Sequence, residues 1–110
     1  MAKTLRTYQA LYASDLLVAE LLAAAVRESV ASSAVLPILH SIAIVVPDRS
    51  IESEIQEVLS HGYLRGADVW HLACALFVAG GDRSALSFLT RDAKQGRSAA
   101  ALGLNAAQVR

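Results

Sequence analysis

The apolar positions of this chain change rhythm several times, and each change marks an element. Ala10 to Ala13 is a short apolar stretch that reads as a buried strand, and Ser14 stands where it can cap a following helix. Residues 15–29 contain no helix breaker and are apolar on nearly all sides, which predicts a helix covered on more than one face. The chain loosens from Ser29 to Ser33, and the stretch around Pro37 carries no decisive pattern.

Ile42 to Val46 is a continuous β-branched-rich run ending at Pro47, as expected of a parallel strand buried on both faces. Ile51, Ile55, Val58 and Leu59 then recur at helical spacing, with Glu52, Glu54 and Glu57 off their stripe. That pattern predicts a surface helix, stopped at His61-Gly62. Residues 67–79 predict a second, mostly apolar helix closed by Gly80-Gly81. Leu86 to Thr90 predicts a strand, residues 93–101 a helix, and Asn105 to Val109 a last, weak strand. The alternation predicts an α/β open parallel sheet with helices on both faces. A chain of 110 residues has room for one domain with one main core.

Composition sharpens this picture in three ways. The apolar share is 55%, mostly alanine and leucine, which suits buried helices. Its longest apolar run, Leu16 to Val26, is interrupted by Glu20, so no membrane span is expected. Lys3 and Arg6 are not followed by a signal-like apolar core, and a cytoplasmic protein is expected. Ten basic and ten acidic side chains leave a formal charge of zero, which argues against a general electrostatic grip on nucleic acid. A local grip remains open at Arg91, Lys94 and Arg97, which cluster beside Asp92. The single cysteine, Cys74, lies among Ala73, Ala75 and Leu76 and reads as a small core residue.

Three acids interrupt or cap otherwise apolar segments: Glu20, Asp68 and Asp92. Buried carboxylates are costly unless paired or bound to a cation, so each is either a site residue or differently employed. Glu20 has Leu16, Leu17, Ala23 and Ala24 as helical neighbours, so it projects from a face that should be buried; the alternative is a solvent-facing glutamate. Asp68 and Asp92 stand near helix starts, where capping of free N–H groups competes with a site role. Asp92 also follows a strand, the place where open α/β sheets bind ligands. His71, one turn after Asp68, reads as a metal ligand, a general base or a hydrogen-bonded structural residue. Ser14 and Thr90 are cap or turn residues by default, with orientation of a metal-bound water as the other role. Asp15, Asp48 and Asp82 look ordinary.

Taken in order, three segments carry a resemblance: Tyr12-Ala-Ser14-Asp-Leu-Leu-Val-Ala-Glu20, Leu64-Arg-Gly-Ala-Asp68-Val-Trp-His71-Leu-Ala, and Phe88-Leu-Thr90-Arg-Asp92 with Ala100-Ala-Leu-Gly103-Leu. Together they resemble the PIN-domain family, in particular the VapC-like toxin ribonucleases of toxin–antitoxin pairs. The resemblance runs from about Leu11 to Leu104. It implies a PIN-like fold and a nuclease that cleaves RNA with Mg²⁺ or Mn²⁺. Carried over residue by residue, Glu20, Asp68 and Asp92 are the catalytic metal ligands, Ser14 and Thr90 are supporting hydroxyls, and Arg91, Lys94 and Arg97 are RNA contacts. An antitoxin protein and a second copy in a homodimer are the implied partners.

The family opens with a strand ending in Asp, and Met1 to Gln9 contain no such pattern and no acid. The resemblance therefore implies a PIN-like domain whose first strand and first helix lie outside this sequence. It also leaves a second functional expectation: a non-catalytic PIN-like module that binds an antitoxin-like partner. Another two-metal phosphoesterase of α/β type would call for a His-rich metal motif, which the sequence lacks.

Overall fold

The computed structural model describes residues 10–108, and the readings made for Met1 to Gln9 and for the end of the chain lie outside them. In chain order the elements are β1 (Tyr12–Ser14), α1 (Leu16–Arg27), α2 (Ser32–His40), β2 (Ala43–Val45), α3 (Glu52–Ser60), α4 (Gly66–Ala79), a 3₁₀ turn (Arg83–Ala85), β3 (Ser87–Thr90), α5 (Ala93–Ala101) and β4 (Asn105–Gln108). The architecture is mixed α/β, with five helices and two short parallel strand pairs among the described residues.

β1 runs parallel to β2 with Tyr12 opposite Ala43 and Ser14 opposite Val45. β3 runs parallel to β4 with Ser87 opposite Asn105 and Thr90 opposite Gln108. Each pair is joined through helices, as parallel strands require. Among the described residues no ladder connects one pair to the other. The strands thus form two separate pairs where the sequence predicts one open sheet.

Helix α4 supplies the centre of the core. Leu72, Ala73 and Cys74 are buried in succession, so this helix is covered on several sides, and Val69 and Leu76 extend the buried surface along it. Ile51 and Val58 from the start and stripe of α3 pack here, as do Ala99, Leu102 and Leu104 from α5 and the approach to β4. The helix ends where Gly80 takes a φ of 57°, a conformation that costs glycine no clash with a side chain. Arg83 ties this half together: it donates to both carboxylate oxygens of Glu57, at 2.6 and 2.7 Å, and to the Leu102 carbonyl at 2.9 Å. One guanidinium thereby joins α3, the 3₁₀ turn and the end of α5.

Two expectations change here. The stripe on α3 does not include Leu59, which is 45% exposed, because the helix rests on α4 through Ile51, Ile55 and Val58. Among the described residues helix α1 is covered on one face. Ala25 is its buried residue and Val26 is 80% exposed, since α1 packs chiefly on α2 in a small separate cluster with Val35 and Leu39. That α2 is a helix at all was not legible around Pro37. The proline sits inside the helix, where it gives up one backbone hydrogen bond, and the burial of Val35 and Leu39 one turn apart against α1 sustains the helix.

Truncating Leu72, which has no exposed surface, should lower the unfolding free energy by about 3 kcal/mol in urea titration, while Leu59→Ala should change it by less than about 0.5 kcal/mol. The Arg83 guanidinium holds the Glu57 carboxyl below the usual carboxylate range. Glu57 therefore binds its proton less readily folded than unfolded. The pair stabilises the fold above the ordinary carboxylate range, and that share is lost as pH falls through the lowered folded value. Both partners are about one-third exposed, so the share should not exceed about 1 kcal/mol. Glu57→Gln should flatten the acid limb of a stability-against-pH curve by that amount.

Candidate functional site

β1 ends at Ser14 and β3 at Thr90, and the segment between the two pairs is a cavity of about 730 Å³. Its walls include Tyr12 to Ser14 on one side and Ser87 to Leu89 on the other, and its floor is formed by His71, Cys74, Ala75 and Val78 of α4. These four recur at the spacing of one helix face. Most of the lining is apolar; Ser14, His71 and Gln95 are among its polar members.

At the Ser14 side a hydrogen-bonded chain crosses three elements. Ser14 Oγ lies 2.6 Å from His71 Nδ1, and His71 Nε2 lies 2.6 Å from Glu20 Oε1. Ser14 is 5% exposed, so its hydroxyl depends on the histidine for a partner. Glu20 has a side chain 50% exposed: it neither points into the core nor stands free, but reaches from α1 to the imidazole. The connectivity is the reverse of a serine-hydrolase triad, in which the acid holds Nδ1 and the nucleophile faces Nε2. It is a staple between β1, α1 and α4. Beside it, Trp70 Nε1 donates to Asp15 Oδ1 at 2.8 Å, a second link between the same elements.

At the Thr90 side, Asp92 caps α5. Its Oδ1 accepts from the backbone N–H groups of Lys94, at 2.9 Å, and Gln95, at 3.3 Å. Thr90 Oγ1 accepts from the Asp92 N–H at 3.0 Å and donates to Gln95 Oε1 at 2.8 Å. Gln95 is buried and lines the cavity at this side. Arg91, Lys94 and Arg97 are all exposed, and the Lys94 ammonium lies 5.6 Å from the centre of the Tyr63 ring. Asp68 sits half-buried in the first turn of α4, whose cap position is Arg65.

The sequence-derived site residues therefore divide. Glu20 and Ser14 meet, through His71; Thr90 and Asp92 meet, through the turn into α5. Among the described residues no group of three or more His, Cys, Asp or Glu side chains is placed to hold a metal ion, so Glu20, Asp68 and Asp92 are not gathered as one donor set. Ser14 does not cap α1: that position is Asp15, and neither side chain caps the helix. Asp15, which looked ordinary, is connected, and His71 takes the hydrogen-bonded role among those open to it. Asp15 holds Trp70, and His71 takes Ser14 and Glu20, residues far from it in sequence. The available signal was the pair Trp70-His71 itself, two polar-tipped rings next to each other on an otherwise apolar helix.

Cys74 is buried as expected, and burial, helped by the charge of Asp15, pushes its thiol up to about 11. It should resist iodoacetamide at pH 8 in the folded protein and react on denaturation, as followed by mass. His71→Ala should cost about 1–3 kcal/mol of stability, because the buried Ser14 hydroxyl loses its partner. Glu20→Gln, at an exposed position, should cost less than about 1 kcal/mol; equal losses in denaturant titrations would show that the staple does not depend on Ser14 burial. No family model, curated protein or solved structure matches this chain.

Proposed function

We propose that this chain is a PIN-like domain whose activity is Mg²⁺- or Mn²⁺-dependent cleavage of RNA, as the toxin of a toxin–antitoxin pair. One observation carries the reading: Ser14 and Thr90 end the two strands that flank the cavity, and each is tied to an acid, Ser14 to Glu20 through His71 and Thr90 to Asp92 directly. Both acids thus stand near the carboxyl ends of parallel strands, where α/β folds bind ligands. Asp68, at the start of the helix that floors the cavity, is the third acid of the set.

In donor chemistry the three carboxylates suit a hard divalent cation, which takes oxygen ligands. Such an ion, when bound, would acidify a water and offset charge on a phosphodiester. The chain's own residues would do the rest. Glu20 would exchange its hydrogen bond with His71 for a metal, while His71 stays fixed by Ser14. Asp92 has one carboxylate oxygen engaged in capping α5, which orients the other. Arg91, Lys94 and Arg97 would meet the RNA backbone as exposed cations.

A second reading draws on the ungathered state of the acids and on the cavity itself: a PIN-like module that binds a protein partner and performs no chemistry. RNA cleavage assays separate the two. Cleavage should require Mg²⁺ or Mn²⁺ and vanish with excess chelator. Asp68→Asn and Asp92→Asn should each reduce it at least a hundredfold with circular dichroism unchanged, since asparagine at 92 still caps α5 and position 68 is not the cap of α4. Cleavage undiminished in chelator sinks the metal mechanism; no cleavage under any metal, with partner binding intact, favours the module.

A further inference from the structure

The arginines and the lysine among the described residues divide by partner. Arg27, Arg49 and Arg83 each hold a carboxylate. Arg65, Arg91, Lys94 and Arg97 hold none among the described residues, and all four are exposed. Helix α4 separates Arg65 from the other three in sequence, yet one contact joins the two segments. The Lys94 ammonium lies 5.6 Å from the centre of the Tyr63 ring, within cation–π reach. The connector between α3 and α4 thus stands beside the start of α5.

Tyr63 is placed by its neighbours. Leu64, next in the chain, is 5% exposed and packs in the cluster around α4. Gly62, on the other side, takes a φ of 130°, a conformation that strains other residues. Between these two fixed points the Tyr63 ring is 74% exposed, so most of its surface stays open with Lys94 against it.

A flat open ring beside a cation that has no acid of its own matches a flat base joined to a phosphate. Any base has a π-face to stack on the ring, and the phosphate answers the ammonium. An acidic peptide would use the cations and leave the ring without a matched group. The pair also lies close in the chain to two of the acids. The Lys94 N–H donates to Asp92 Oδ1 at 2.9 Å, and Arg65 is the cap position of the helix whose first turn carries Asp68.

We propose that Tyr63 and Lys94 seat one unpaired nucleotide of an RNA, with its base stacked on the Tyr63 ring and an adjoining phosphate on the Lys94 ammonium. The choice of RNA rests on the nuclease reading above. A base inside a duplex has both faces covered, so the seat selects single-stranded stretches. Arg65, Arg91 and Arg97 are the cations for phosphates on either side. Tyr63 is a positioning residue and touches no reacting atom.

The probe is fluorescent octauridylate, titrated into the full chain in excess chelator and followed by anisotropy, so that binding is read without cleavage. Tyr63→Ala should weaken binding about tenfold, and Tyr63→Phe should keep it within about twofold of the wild type. An abasic octamer, which has the phosphates and lacks the bases, should bind the wild type and Tyr63→Ala alike. Lys94→Gln should lower the slope of log affinity against log salt by about 0.7. Undiminished octauridylate binding by Tyr63→Ala would overturn the seat. So would an equal loss on the abasic octamer, no binding by the wild type, uridine monophosphate binding as tightly as the octamer, or an octaglutamate peptide that binds with the same dependence on Tyr63. Cleavage in Mg²⁺ is a separate readout. Tyr63-dependent binding with no cleavage under any metal keeps the seat and sinks the nuclease, whereas cleavage by Tyr63→Ala with KM unchanged keeps the nuclease and sinks the seat.

Discussion

Among the described residues the two strand pairs share no ladder, so they depend on α4 to hold them in one body. In an ordinary parallel sheet, hydrogen bonds fix neighbouring strands and helices cover the result. Here one helix does the fixing. Its buried run from Leu72 to Cys74 packs toward α3, β1 and the region of β3 together, which explains why a helix of 14 residues carries so little polar surface. Its polar residues sit at its start, where Trp70 and His71 bind Asp15, Ser14 and Glu20. Packing along its length and hydrogen bonding at its start are therefore two parts of one device: the first sets how far apart the strand pairs lie, the second sets how β1 and α1 are oriented on it.

That arrangement bears on chemistry. Each acid that resembles a ligand already has a local task or a local place. Glu20 holds an imidazole, Asp92 caps a helix, and Asp68 lies in a helical first turn where its charge suits the dipole. A carboxylate released from such a task to a cation gives up about as much as a charged hydrogen bond supplies. Metal affinity would thus be lowered by the bonds that keep the acids ordered. Glu20 and Asp92 each use one carboxylate oxygen in these bonds and keep a second.

Most of the fold was legible because its elements have strong local causes. The stripe through Ile51, Ile55 and Val58, the Gly80-Gly81 stop and the Asp92 cap each specify structure within a few residues, and α3, α4 and α5 fall where they predict. What was not legible depends on contacts distant in sequence. Pro37 argued locally against a helix that its packing on α1 sustains. Glu20 read as facing a buried side because the helix around it is apolar, yet among the described residues no second layer covers that helix. The partnership of Ser14 with His71 spans 57 residues and leaves no periodic trace. Separation into two strand pairs was hidden for the same reason: strand propensity reports the strand, not its neighbour.

The small α1–α2 cluster has a kinetic side. Among the described residues its buried set is Ala25, Val35 and Leu39, whereas the cluster around α4 buries eleven. Amide hydrogens in α1 and α2 should therefore exchange through a partial opening well below the free energy of global unfolding, as a separate cooperative unit. Each such opening would pull Glu20 from His71 and, by loosening the imidazole, admit water to Ser14. The exchange rate of one helical hairpin would in this way set how often the polar end of the central cavity is wet.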